Sequence, residues 1–177
     1  MYYDYFKGFL HDERENTYEK IYEEIKDKVS YSTKGRRSCL FALHSLDLLG
    51  SGYANKFSCD EVPTIIQDIR TKVELLTGQV YDFVLAHIYL DGDAGIAYHS
   101  DAEANDSFVC SVSFGASRKF RLRRIGETKG YDKEFILGDG DVFVMKPTMQ
   151  SVYKHAIIPE KGVKNPRINL TFRQYEI

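Results

Sequence analysis

Tyr18, Ile21, Tyr22, Ile25 and Val29 recur at spacings of three and four, which predicts an amphipathic helix over residues 15–29. A second apolar stripe, Ile65, Ile66, Ile69, Val73 and Leu76, is opened by Asp60 with Pro63 and closed by Gly78. Proline near the start and glycine just past the end is the order a helix prefers. Both stripes read as core packing rather than partner grooves. Between them, residues 31–57 hold Gly35, Gly50 and Gly52 without a sustained period and read as irregular. From Phe83 the pattern switches to short strands, over residues 83–90, 96–101, 107–114, 119–125, 142–146, 152–157 and 167–175. Asp91-Gly92-Asp93, Gly126, Gly138-Asp139-Gly140, Pro147 and Asn165-Pro166 mark the turns between them. Many short strands with glycine turns predict a sandwich or barrel.

The last of these strands carries unusual chemistry. In Arg167-Ile168-Asn169-Leu170-Thr171-Phe172-Arg173, period 2 puts Arg167, Asn169, Thr171 and Arg173 on one face and the apolar residues on the other. Two arginines on an inward row need an anionic partner, because unpaired buried charge is costly. Six residues of strand span roughly 20 Å, leaving room between the guanidiniums for a short dicarboxylate held at both ends. A solvated surface strand is the alternative. His99-Ser100-Asp101 weighs against it: on a strand, His99 and Asp101 point to the same side, and His155 lies twelve residues before Arg167. Two imidazoles and one carboxylate form the facial triad of non-haem Fe(II) oxygenases, which leaves metal positions open for cosubstrate and O₂.

At these residues the chain resembles the AlkB-type Fe(II)/2-oxoglutarate dioxygenases, which remove alkyl groups from nucleic acid bases. The matching stretches are YLDGDAGIAYHSD from Tyr89 to Asp101, the run Ser111-Val112-Ser113-Phe114-Gly115, His155, and RINLTFR. They span residues 83–173, about half the chain, with order and spacing intact. The resemblance implies a mainly β fold with N-terminal helices, a double-stranded β-helix (jelly roll). Residues 1–177 would then form a single domain, with 1–82 as helical support and substrate lid and 83–177 as the catalytic jelly roll. It implies Fe(II), 2-oxoglutarate and O₂, with His99, Asp101 and His155 holding the metal. Arg173 would assist the 1-carboxylate, and Arg167 with Tyr89 would bind the 5-carboxylate; the planar fork of arginine suits such a partner. Asn169, Thr171 and His87 complete the expected cosubstrate set. Many members carry asparagine where His87 stands, so the tautomer and charge of this side chain become variables. It is not expected to be a metal ligand.

Composition narrows the partners. The chain has 177 residues, enough for one domain that buries ~70% of its unfolded surface. Its hydrophobic content of 43%, with 14% aromatics, excludes intrinsic disorder. A net charge of -2 leaves no global basic footprint, so any nucleic acid surface must be local. Candidates are Lys34, Arg36 and Arg37, the cluster Arg118, Lys119, Arg121, Arg123 and Arg124, and Lys154, Lys161 and Lys164; Arg121 and Arg123 are the chosen contacts. Cys39, Cys59 and Cys110 are too few and too irregularly spaced for a disulfide or metal framework and fit a reducing compartment. No apolar run approaches ~18 residues and the first residues lack the order of a signal peptide. A soluble intracellular monomer, in nucleus or cytoplasm and without membrane contact, is expected.

The activity implied by the resemblance is oxidative dealkylation of N-alkylated bases in DNA or RNA, coupled to decarboxylation of 2-oxoglutarate to succinate and CO₂. A base under repair must leave the stack and be received by aromatic side chains. Phe41, Tyr53 and Phe57 are candidate lid rings, since the chain has no tryptophan, and Glu103 is the candidate acid at the base edge. Two alternatives stay open: a 2-oxoglutarate-dependent hydroxylase or demethylase of a protein, lipid or small molecule, which the modest charge favours, and a catalytically idle 2-oxoglutarate-binding module.

Overall fold

The computed structural model describes residues 1–28, 31–43 and 61–175. Its elements are β1 (Tyr3–Phe6), α1 (Thr17–Ile25), β2 (Tyr31–Thr33), β3 (Arg36–Ala42), α2 (Thr64–Thr77), β4 (Phe83–Tyr89), β5 (Ile96–His99) and β6 (Val109–Gly115). After these come β7 (Arg118–Arg124), β8 (Lys133–Leu137), β9 (Val142–Met145), α3 (Met149–Val152), β10 (Tyr153–Ile157) and β11 (Arg167–Arg173). A 3-10 turn at Ala102–Ala104 follows β5.

Both long helices form where the apolar stripes lie. Asn16 caps α1, its side chain accepting from the Glu19 N–H at 3.3 Å. The helix is shorter than its stripe because Lys28 N–H turns back onto the Ile25 carbonyl. In α2, Pro63 precedes the first turn, where a missing N–H costs nothing, and Gly78 closes it at φ 67°, in the left-handed region.

The strands build two antiparallel sheets. The larger has the order β1-β9-β6-β11-β4-β3-β2 and the smaller β5-β10-β7-β8. Two facing antiparallel sheets with helices on one outer side constitute the expected jelly roll. Three strands of the larger sheet come from the part of the chain before Phe83. Of these, β2 and β3 lie in the segment expected to be irregular, and β1 was not expected at all. The alternation of β3 is hard to see because its pocket side carries Arg36 and Ser38, so polar residues stand where a buried face should read apolar. Short edge strands such as β1 and β8 carry little periodicity of their own and form through pairing with β9 and β7.

Two cores result. Between the larger sheet and the helices, Ile21, Ile25, Ile66, Ile69 and Val73 meet Phe41, Ala86, Val112, Ile168, Leu170 and Phe172. Between the sheets, Phe120, Leu122, Phe143, Met145 and Ile157 pack together, with Phe120 and Phe143 edge to face at 4.9 Å. No helix among the described residues is long and apolar enough to cross a membrane.

Candidate metal and cosubstrate site

Strands β5 and β10 pair so that His99 stands opposite His155, with ring centroids 4.3 Å apart. Asp101 lies beyond the end of β5, where the chain enters the 3-10 turn, and not on the strand as the spacing had suggested. Its backbone N–H donates to Gln150 Oε1 at 2.9 Å, and this aims the carboxylate at both imidazoles. His99 Nε2 is 3.7 Å from one carboxylate oxygen and His155 Nε2 is 3.6 Å from the other. The ligand atoms of the three residues lie within 4.8 Å of one another, so they can hold one metal ion.

The local electrostatics suit a cation. His99 Nδ1 is 2.8 Å from the Ala97 carbonyl, which can only accept. The proton therefore sits on Nδ1 and the Nε2 lone pair faces the group. Burial pushes His155 down to about 4, with His99 and Arg173 adding to the effect and Asp101 opposing it. Its ring is neutral at physiological pH and presents a lone pair. Burial alone would raise the Asp101 carboxyl, but Arg173, joined by the imidazoles in their charged form, outweighs it and holds the group below the ordinary carboxylate range. Arg173 Nη2 approaches Asp101 Oδ2 at 3.0 Å.

The polar row of β11 forms the floor of the same pocket, and Arg167, Asn169, Thr171 and Arg173 line it together with Tyr89, His87 and the three metal-site residues. Arg167 donates to Ser113 Oγ at 2.9 Å and lies 5.0 Å from the Tyr89 ring centre. Its Nε and Nη1 are buried with no hydrogen-bond partner among the described residues. Such donors are costly unless a ligand accepts them, and the carboxylate of a dicarboxylic acid is the partner that fits. Asn169 is pinned instead, donating to Ser111 Oγ at 2.8 Å and to the Val112 carbonyl at 3.0 Å. Thr171 donates to Asn169 Oδ1 at 2.7 Å. These two shape the floor rather than offering free donors.

Several expected residues fall elsewhere. Phe41 is in the core between sheet and helices, 1% exposed, because its parity on β3 turns it away from the pocket; it cannot be a stacking platform there. Arg118 leaves the surface cluster. It is 1% exposed and donates to the carbonyls of Asp91, Gly92, Ala94 and Ile158 at 2.6–3.2 Å. It thereby clamps the β4–β5 loop that leads to His99, a loop in which a Cβ at Gly92 would collide with the Glu160 carbonyl. Arg121 and Arg123 alternate with the inward Phe120 and Leu122, so they lie on the outer face of the smaller sheet. Arg121 pairs with Glu134 at 2.5 Å, and Arg123 lies 3.7 Å over the Tyr98 ring. Glu103 belongs to the 3-10 turn, but its side chain, like all of Tyr53 and Phe57, lies outside the described residues. Sequence reasoning missed Gln150, Ser38 and the clamp of Arg118. None has a local signal, since each acts on a partner more than twenty residues away.

A family model for the 2OG-Fe(II) oxygenase superfamily matches residues 13–173. Uncharacterized protein R406 of Acanthamoeba polyphaga mimivirus is 36% identical over 132 residues, covering 71% of this chain and 67% of its own length. DNA oxidative demethylase ALKBH2 of Bos taurus is 35% identical over 119 residues, 62% of this chain and 43% of its own. Human alpha-ketoglutarate-dependent dioxygenase alkB homolog 3 is 27% identical over 119 residues, covering 62% of this chain and 42% of its own. The chain thus spans about two thirds of the viral protein and less than half of these two mammalian ones. The solved structure of OsALKBH1 superposes with a TM-score of 0.68 at 14% identity, covering 98% of this chain and 96% of that one, a likeness of fold. With a match across nearly its whole length and a His-Asp-His group facing a buried arginine floor, the chain, similar to AlkB-type proteins, belongs to the 2OG-Fe(II) oxygenase superfamily.

Proposed function

We propose that the chain oxidatively removes alkyl groups from bases of DNA or RNA, with His99, Asp101 and His155 as iron ligands and the polar face of β11 as the 2-oxoglutarate floor. The observation that carries this is the convergence of a two-imidazole, one-carboxylate group and two buried guanidiniums on one pocket. Relatives named as DNA oxidative demethylases support the substrate class. When bound, iron and 2-oxoglutarate supply activation of O₂ and oxidation of an N-alkyl carbon, with succinate and CO₂ formed alongside.

The chain's own residues divide the remaining work. Asp101 stays ionised and would offset part of the charge of a bound metal, for which the imidazoles of His99 and His155 would supply the other two protein ligands. Arg173 serves both Asp101 and the nearer carboxylate of the cosubstrate. Arg167, held by Ser113 and flanked by Tyr89, receives the far carboxylate. Ile96, Phe120, Leu137, Met145 and Ile157 wall the pocket with apolar surface and exclude water from it. Glu103 and Tyr53 are assigned to base recognition from the sequence alone, and Arg121 and Arg123 with Tyr98 would offer phosphate and stacking contacts on the outer face of the smaller sheet.

One observation favours a second reading, oxidation of a protein or small-molecule substrate. Arg121 and Arg124 already have acidic partners, Glu134 at 2.5 Å and Asp132 at 3.7 Å, which weakens any phosphate-binding field. Succinate formation assayed with Fe(II), with and without oligonucleotides bearing N1-methyladenine or N3-methylcytosine, separates the two. Methyl loss coupled to succinate supports the nucleic acid reading. Succinate formation that no methylated oligonucleotide, single- or double-stranded, stimulates or consumes would overturn it.

A further inference from the structure

Ser38 and His87 face each other across β3 and β4 in register. Ser38 Oγ and His87 Nδ1 are 2.6 Å apart, and Ser38 is 1% exposed. His87 lines the pocket between the two arginines of β11, its register partner there being Asn169. With Nδ1 engaged by Ser38, Nε2 is the ring nitrogen left to meet a ligand of the pocket.

A serine hydroxyl can donate to Nδ1 or accept from it, and the two choices give His87 opposite characters. If Nδ1–H donated to Ser38, the Nε2 lone pair would face a pocket built for an anion and repel its oxygens. If Ser38 donates, Nε2 carries the proton and becomes a donor to that anion. The ring itself is neutral: burial, with Arg36, Arg173 and Arg167 nearby, pushes it down to about 3, Asp101 opposing. A neutral donor adds a hydrogen bond without adding a further cation beside three guanidiniums.

We propose that Ser38 is a positioning residue for the cosubstrate: its hydroxyl donates to His87 Nδ1 and holds the imidazole as the Nε2–H tautomer, so that this N–H donates to an oxygen of bound 2-oxoglutarate. This rests on the reading of the pocket as a 2-oxoglutarate site, though not on the identity of the alkylated substrate. Ser38 would act only through His87, and the effect expected is that of one hydrogen bond.

The full chain, loaded with zinc(II) because that ion is redox-inert, is titrated with 2-oxoglutarate by calorimetry. The histidine nitrogens are followed by long-range ¹H–¹⁵N NMR. In the unaltered protein His87 is expected to be protonated at Nε2 and bare at Nδ1. Ser38→Ala should weaken 2-oxoglutarate binding by roughly two- to tenfold and mix the tautomers, while Ser38→Thr should restore both. A merely structural serine would lower the melting temperature without changing the nitrogen pattern. An Nδ1–H tautomer in the unaltered protein, or unchanged affinity in Ser38→Ala, overturns the inference alone. Failure of the unaltered protein to bind 2-oxoglutarate overturns the cosubstrate reading and this inference together.

Discussion

Strand β11 has two faces buried to nearly the same depth. On the helix side Ile168, Leu170 and Phe172 are each 0% exposed; on the pocket side Arg167, Asn169, Thr171 and Arg173 are between 1% and 7% exposed. The apolar face gains from that burial, about 1.5–3 kcal/mol for each large side chain. The polar face loses hydration and recovers it unevenly. Asn169 and Thr171 bond to neighbours, whereas two donors of Arg167 do not. Equal burial therefore has opposite meanings on the two faces: one stabilises the fold, and the other holds polar groups ready for an anion.

The largest effect is expected at the metal group. Asp101→Ala is expected to abolish Fe(II)-dependent succinate formation while circular dichroism shows the fold retained. Full turnover with added Fe(II) would mean that the group is not the centre of the pocket's chemistry.

Next in size is the apolar face. Phe172→Ala should cost about 3–5 kcal/mol of stability in denaturant unfolding, since it empties a fully buried site. Any fall in cosubstrate affinity should disappear under conditions where the variant is folded. The pocket face should respond in the reverse manner. Arg167→Met is expected to leave the ligand-free chain as stable as before, or more so, because it removes unpaired buried donors. The same change should weaken 2-oxoglutarate binding roughly tenfold or more, the scale of a charge-assisted bond. If this variant instead unfolds like Phe172→Ala and binds 2-oxoglutarate normally, the two faces do not differ in role.

A pH titration of the metal-free chain sharpens the contrast further. His87 and His155 sit below the ordinary histidine value, at about 3 and about 4. In the folded state they stay neutral while the unfolded chain takes up protons below about 6.5. Their contribution to stability is present above that pH and is lost as pH falls, through about 4 for His155 and about 3 for His87. His87→Asn should flatten this acid limb; an unchanged limb would mean that His87 is not held neutral by its surroundings.

The smallest effect is expected on the outer face of the smaller sheet. Charge reversal at Arg121 and Arg123 should weaken oligonucleotide binding and flatten its salt dependence, with 2-oxoglutarate decarboxylation in the absence of nucleic acid barely changed. Because Arg121 is already paired with Glu134, a loss of only a few-fold is expected. Salt-insensitive oligonucleotide binding would place the nucleic acid contacts elsewhere.

How much was legible differs from element to element. The two helical stripes and the alternation of β11 could be read directly, because each depends on side-chain periodicity within a single element. His99, Asp101 and His155 stood out as a chemical set, yet the means of their convergence did not. Asp101 was expected on the strand with His99 and reaches the imidazoles from a turn held by Gln150. The parity of β3 was hidden by its polar pocket side, so Phe41 looked like a free ring and Ser38 looked like nothing in particular.

The order of residues along the chain already carries the chemistry: two imidazoles, a carboxylate and an arginine row of the right spacing, on strands of the right period. Tertiary structure alone decided which of these groups meet. The pairing of His99 with His155, the facing of Ser38 and His87, and the inward turn of Arg118 all depend on strand register, and register is set by the long-range burial of whole faces. A shift of one residue along any of these strands would exchange its pocket side for its core side and leave every local pattern unchanged.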